Sequence, residues 1–196
     1  MYRTTSPDTL SWYRAHLEMS LQLIEEAAPE RNRAIIDVGG GESTLVDDLL
    51  ARGYRDISVL DISPTALEVA RARLGERSRR VQWVCGDVTA MDLGEQRYDV
   101  WHDRAVFHFL TEPTERVAYV RQVARSVKTG GYVIVAAFGP EGPTRCSGLP
   151  VVRYEPDALH DEFGDRFRLV KHLTELHETP KGATQQFVYC FCNVAR

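Results

Sequence analysis

The sequence predicts an α/β chain with a doubly wound, mostly parallel seven-stranded sheet, helices on both faces and an antiparallel C-terminal strand. Three observations predict it. Short apolar runs alternate with segments whose apolar residues recur at steps of three and four. A glycine triplet, Gly39-Gly40-Gly41, separates the first apolar run from the next helical pattern. Two strand-like runs end the chain, joined by the turn residues Glu178-Thr179-Pro180-Lys181-Gly182. A length of 196 residues fits a single domain spanning 1–196.

Each element follows in order. Leu10, Tyr13, Leu17, Leu21, Ile24 and Ala28 give one helix face over 9–28. Ala34-Ile35-Ile36-Asp37-Val38 is a continuous apolar run of the kind found in a strand covered on both faces. Leu45, Val46, Leu49 and Leu50 mark a second helix, closed by Gly53. Ile57 to Asp61 is the second strand, and Ser63-Pro64 supplies an N-cap and a first-turn proline for a helix carrying Leu67, Ala70 and Leu74. Val81 to Cys85 and Tyr98 to Trp101 are strands three and four. Val117, Val120, Ala124 and Val127 mark a helix stopped by Gly130-Gly131, and Tyr132 to Phe138 is a central strand. Gly139 to Pro150 is rich in glycine and proline and reads as a loop, part of a substrate-side segment over about 139–156. Leu159 and Phe163 sit on a short helix before Gly164, and Phe167–Leu176 and Gln185–Cys192 form the terminal hairpin.

Composition narrows the function. Lys+Arg number 24 and Asp+Glu 28, a net charge of −4, which argues against a general nucleic-acid binder. No apolar run approaches the ~20 residues of a membrane helix. The first twenty residues lack the apolar core of a signal peptide, so the expected compartment is the cytoplasm. Cys85, Cys146, Cys190 and Cys192 lack zinc-type spacing, and no metal is expected. Cys190 and Cys192 share one strand face and read as small buried or edge residues.

The glycine turn, Asp37-Val38-Gly39-Gly40-Gly41-Glu42-Ser43, follows a strand and opens a helix, and Asp61 closes the second strand. Glycines let a ligand approach the backbone, and an acid at that second position can accept from ribose hydroxyls. Two ligands fit such a turn: a dinucleotide or S-adenosylmethionine. A dinucleotide asks for G-x-G-x-x-G, but Thr44 stands where the third glycine belongs. Asp37 would also repel a pyrophosphate, whereas it suits the ammonium and sulfonium of S-adenosylmethionine.

These residues resemble the class I, seven-strand S-adenosylmethionine-dependent methyltransferases. The family's first motif matches Asp37-x-Gly39-x-Gly41-x-Ser43, with Ser43 in place of the usual glycine. Its ribose acid falls on Asp61, with Ile62 beside it for adenine packing, and its adenine-edge acid on Asp87 in Cys85-Gly86-Asp87-Val88. Its fourth motif falls on Tyr98 to Arg104, and its fifth strand on Gly130 to Val135. The resemblance implies S-adenosylmethionine as cofactor and S-adenosylhomocysteine as product. The implied cofactor-binding residues are Trp12, Tyr13, Asp37, Gly39, Gly40, Gly41, Ser43, Asp61, Ile62, Asp87, Val88 and Asp103. In the family the chain before the first strand often closes over the cofactor, so 1–30 reads as a helical lid. There Trp12 and Tyr13 offer either a cation–π face, about 0.5–2 kcal/mol, or plain core contacts.

Methyl transfer from a sulfonium is an in-line displacement, so alignment and water exclusion matter more than a catalytic triad. The acceptor side should lie at the ends of strands four and five. Candidate catalytic residues there are His108, Asp103 and Arg104. Candidate substrate contacts are Phe107, His108, Phe138, Cys146, Arg153, Tyr154 and His177. For each the plain alternative is a core, turn or local-pairing role. The expected activity is methyl transfer to a small-molecule acceptor. A protein-lysine methyltransferase is the alternative, because Gly41-Glu42-Ser43-Thr44-Leu45 and Asp103-Arg104 are similar to motifs of elongation-factor and citrate-synthase lysine methyltransferases. A cofactor-binding protein without turnover ranks third. Expected partners are a small-molecule substrate or a protein lysine, with no nucleic acid and no membrane, and the chain acts as a monomer or a dimer.

Overall fold

Strand pairing and alternating burial build the molecule. The computed structural model describes residues 14–180 and 182–195. In chain order the elements are α1 (Glu18–Ala27), β1 (Ala34–Val38), α2 (Leu45–Ala51), β2 (Asp56–Asp61), α3 (Pro64–Leu74), β3 (Val81–Cys85) and β4 (Tyr98–Arg104). Then come α4 (Pro113–Ser126), β5 (Val127–Phe138), the two-residue strands β6 (Arg145–Cys146) and β7 (Leu149–Pro150), α5 (Pro156–Asp161), β8 (Phe167–Glu178) and β9 (Thr184–Val194). Seven strands form one sheet in the order β3-β2-β1-β4-β5-β9-β8. The first five are parallel, and β9 runs antiparallel to both β5 and β8. The fold is α/β, as expected, with the strand order reversing between β1 and β4.

Side chains alternate across this sheet. Ile35, Val100 and Ile134 join a core that includes Leu21, Ile24, Leu45 and Leu49. Ile36, Trp101 and Val133 join a second core with Tyr119, Val123 and Phe163. The period-two pleat therefore feeds helices on both faces, and every residue of β1 is buried. Local signals start the helices. Ser63 Oγ accepts from Ala66 N at 3.2 Å ahead of α3. Pro113 and a Glu112/Glu115 capping box open α4.

Three expectations need correction. Among the described residues α1 starts at Glu18, not at residue 9; Leu17, Leu21, Ile24 and Ala28 are buried, while Leu10 and Tyr13 lie outside the described residues. The face of α4 turned to the sheet is Tyr119, Gln122, Val123 and Ser126, and Val117 is 57% exposed. Gly130 and Gly131 lie inside β5, which begins at Val127; the β4–β5 register shifts between Tyr98 and Val100, and this irregularity absorbs the glycines. Among the described residues no helix is long and apolar enough to cross a membrane.

Candidate active site

Where the strand order reverses, the carboxyl ends of β1, β2, β3 and β4 open onto a cavity of about 490 Å³. Its floor is the turn after β1. Gly39 has φ +74°, and a β-carbon there would run into the side chain of Val106. A β-carbon on Gly40 would run into the Asp37 carboxylate. Glycine is thus required by conformation at the first position and by the space that the Asp37 and Val59 side chains occupy at the second. The turn is tied to β2, since Gly39 N donates to Leu60 O at 2.7 Å and Gly41 N donates to Asp61 Oδ2 at 3.0 Å.

Asp37 and His102 are register partners on neighbouring parallel strands, so their side chains leave the same face. Both are buried, and His102 Nδ1 lies 2.7 Å from Asp37 Oδ1. An ionised Asp37 accepts there, which puts the proton on Nδ1. Asp37 Oδ2 is buried, lacks a hydrogen-bond partner among the described residues, and belongs to a cavity-lining side chain. That is an acceptor waiting for a donor. Asp61 accepts from Ser63 N at 2.8 Å as well as from Gly41. Burial pushes the Asp61 carboxyl above its ordinary pKa; the two backbone donors oppose this and the charge of Asp37 adds to it. Burial likewise raises Glu42, whose Oε2 lacks a partner among the described residues.

Of the residues expected to bind cofactor, the structure brings Asp37, Gly39, Gly40, Ser43, Asp61, Ile62, Asp87 and Val88 to the cavity wall. Gly41 sits just behind, holding Asp61. Asp87 Oδ1 accepts from Thr89 N at 2.8 Å and Thr89 Oγ1 at 2.7 Å, which fixes the turn after β3. Trp12 and Tyr13 lie outside the described residues. Asp103 is placed elsewhere. On β4 it shares the face of Trp101, opposite to His102 and Arg104. It accepts from Val106 N at 2.9 Å, Phe107 N at 3.1 Å and Tyr119 Oη at 2.6 Å, so it holds the turn after β4 and does not line the cavity. Burial pushes its carboxyl up to about 6 against those donors.

The acceptor-side candidates divide. Arg104 and Cys146 line the cavity. Phe107 is core, with its ring centre 5.0 Å from Tyr119 and 5.4 Å from Phe163. Tyr154 is buried beside it, 5.7 Å between ring centres, and burial raises its hydroxyl. Phe138 is buried against Phe187. Arg153 donates to Pro140 O at 2.7 Å and Gly142 O at 3.3 Å, and so ties the loop after β5 to itself. His177 is buried near Phe187, away from the cavity lining. Sequence reasoning missed His102, Glu42, Arg14 and Val106 as cavity-lining residues, and Glu175 as the partner of two arginines.

His108 is an uncharged core residue. Its ring lies 4.5 Å from Phe138 and 4.6 Å from Phe109, centre to centre, and neither nitrogen has a hydrogen-bond partner among the described residues. Burial, with the Arg104 charge adding, presses its pKa down to about 3. Unfolding restores a pKa of about 6.5. The folded value is the lower one, so the native state is at full strength above about pH 6.5 and weakens as acidification proceeds toward 3. At pH 5 the loss is about 2 kcal/mol. His108→Phe should remove that loss. Urea unfolding at pH 7 and pH 5 checks it: equal acid sensitivity in the two proteins would contradict the assignment.

A family model described as a methyltransferase domain matches residues 35–131, the segment that holds the glycine turn, Asp61, Asp87 and β4. The chain belongs to the class I methyltransferase family. This methyltransferase-family chain is 33% identical over 128 residues to a malonyl-[acyl-carrier protein] O-methyltransferase of Halalkalibacterium halodurans, covering 62% of itself and 46% of that protein. It is 28% identical over 137 residues to an eEF1A lysine and N-terminal methyltransferase homolog of Drosophila melanogaster, covering 66% of itself and 20% of that protein. The chain therefore spans less than half the length of these curated relatives. Among solved structures it is similar to a Burkholderia thailandensis 1,6-didemethyltoxoflavin-N1-methyltransferase with bound S-adenosylhomocysteine. That match has a TM-score of 0.69 at 20% identity and covers 92% of this chain and 78% of the other.

Proposed function

We propose that the protein is an S-adenosylmethionine-dependent methyltransferase that acts on a small-molecule acceptor. One observation carries the reading: Asp37 Oδ2 is a buried acceptor with no partner among the described residues, set beneath a glycine turn. A cationic donor satisfies it, and a diphosphate there meets repulsion. The residues present fit the cofactor. Asp37 would take its ammonium group and Asp61 its ribose hydroxyls. Asp87 would take the adenine amino group, with Val88 and the exposed Ile62 flanking the ring. The bound cofactor supplies a methyl group on a cationic sulfur.

The chain's own part is to position and to exclude water. His102 holds Asp37 by one oxygen and leaves the other, beneath the glycine turn, without a partner among the described residues. Loop residues Cys146, Ser147 and Leu149 wall the cavity, and Arg153 fastens that loop. A walled cavity of about 490 Å³ suits a nucleoside cofactor and a small acceptor together. The lysine reading keeps support from the relative named as an eEF1A lysine and N-terminal methyltransferase homolog. Calorimetry with S-adenosylmethionine, S-adenosylhomocysteine, NAD and FAD tests the cofactor. Saturable uptake of the first two is expected, and dinucleotide uptake without them refutes the reading. Labelled-methyl turnover with thiols, amines, phenols and carboxylic acids, beside a cell lysate, tests the acceptor. A labelled protein band with silence from every metabolite class would favour the lysine alternative.

A further inference from the structure

We infer that the acceptor carries a carboxylate and that Arg104 receives it, an inference that rests on the methyltransferase reading of the cavity. Strand order lays charge across the cavity in sequence. Asp87 follows β3, Asp61 ends β2, Asp37 lies in β1 and Glu42 follows it, so the acids occupy one half. Arg104 ends β4 and reaches the other way, toward β9 and β8. Its Nε donates to Tyr189 Oη at 3.1 Å, its Nη2 lies 3.5 Å from Glu175 Oε2, and its Cζ stands 4.1 Å from the Phe187 ring centre. Tyr189 Oη donates to Glu175 Oε2 at 2.9 Å, and Arg14 pairs with Glu175 Oε1.

Two guanidinium groups thus share one carboxylate, so before any ligand binds the cavity wall opposite the acids carries one positive charge in surplus. The Arg104 side chain is only 5% exposed, yet it lines the cavity, and its Nη1 has no hydrogen-bond partner among the described residues. A guanidinium held along one edge and stacked on a ring is fixed in place, with its other donors offered to a ligand. Leu17, Phe109 and Leu149 give the cavity apolar walls. The matching ligand is a monoanion with two planar oxygens on an apolar body, which is a carboxylic acid. The ammonium of a lysine side chain would face the surplus charge and be repelled.

The test starts from calorimetry with S-adenosylhomocysteine. No binding there overturns the cofactor reading itself, separately from the charge argument. On the S-adenosylhomocysteine-loaded protein, butyrate, hexanoate, octanoate, benzoate and phenylacetate are titrated beside their primary amides and the matching amines. The tightest acid should exceed its amide about 10-fold, the size of a charge-assisted hydrogen bond in a buried site. Arg104→Gln should erase that preference and Arg104→Lys should restore part of it. No acid exceeding its amide, or an amine binding tightest, overturns the inference; a preference that survives Arg104→Gln overturns the role of Arg104. Should Arg104→Gln fail to fold, the wild-type comparison and Arg104→Lys still decide.

Discussion

Asp37→Asn is expected to weaken S-adenosylmethionine binding about 100-fold while leaving the fold in place. The substitution keeps size and shape, and the amide oxygen can still accept from His102 Nδ1, which lies 2.7 Å from Oδ1 in the native protein. What disappears is the negative charge, and Oδ2, the oxygen that lacks any partner among the described residues, is replaced by an NH2 donor that cannot accept from an ammonium group. Removing one member of a buried, hydrogen-bonded charge pair costs about 2–5 kcal/mol, and 2.7 kcal/mol is about 100-fold. The effect should also be selective. S-adenosylmethionine and S-adenosylhomocysteine both carry the ammonium group, so both should weaken together, with an unchanged unfolding transition. Calorimetry beside thermal unfolding reads both quantities. Wild-type affinity in the variant would remove the central support of the cofactor assignment.

Gly39→Ala is expected to destabilise the fold by about 3 kcal/mol, and the damage should be felt in the cavity. Two terms add. A residue with a β-carbon at φ +74° costs about 1–2 kcal/mol. The new methyl must also displace the Val106 side chain, and overpacking of a tight contact costs about 1–3 kcal/mol. Val106 lines the cavity and its backbone N–H donates to Asp103 at 2.9 Å, so the strain passes to the turn after β4. Denaturant unfolding measures the first effect and S-adenosylmethionine titration the second. A variant as stable as wild type would mean that the turn relaxes and that its left-handed geometry is not required.

Local chemistry was legible and facing was not. Asp37, Gly39, Gly40 and Asp61 could be read because a strand end, a glycine run and a second strand end carry their meaning within a few residues. The acceptor side could not be read that way. Asp103 and Arg104 are neighbours in sequence, but a strand sends them to opposite faces, and which face meets the cavity is decided by pairing with β1. His102 passed unnoticed for the same reason: its significance comes from standing opposite Asp37 across a strand boundary 65 residues away. Phe107, Tyr154 and Tyr119 form one aromatic cluster joined only by tertiary folding. On α4 the valine count favoured the face of Val117, but the large ring of Tyr119 decides which side packs. Cys146 reaches the cavity because β6 and β7 fold the loop back, a geometry that composition does not encode.

The pairing of Asp37 with His102 carries a consequence for how the protein could be monitored. A slip of one residue between β1 and β4 would turn every β1 side chain to the opposite surface, and the acid would point into the Trp101 core. Ligand uptake therefore doubles as an assay of correct strand alignment: a misthreaded population could keep its circular dichroism and still be blind to the nucleoside.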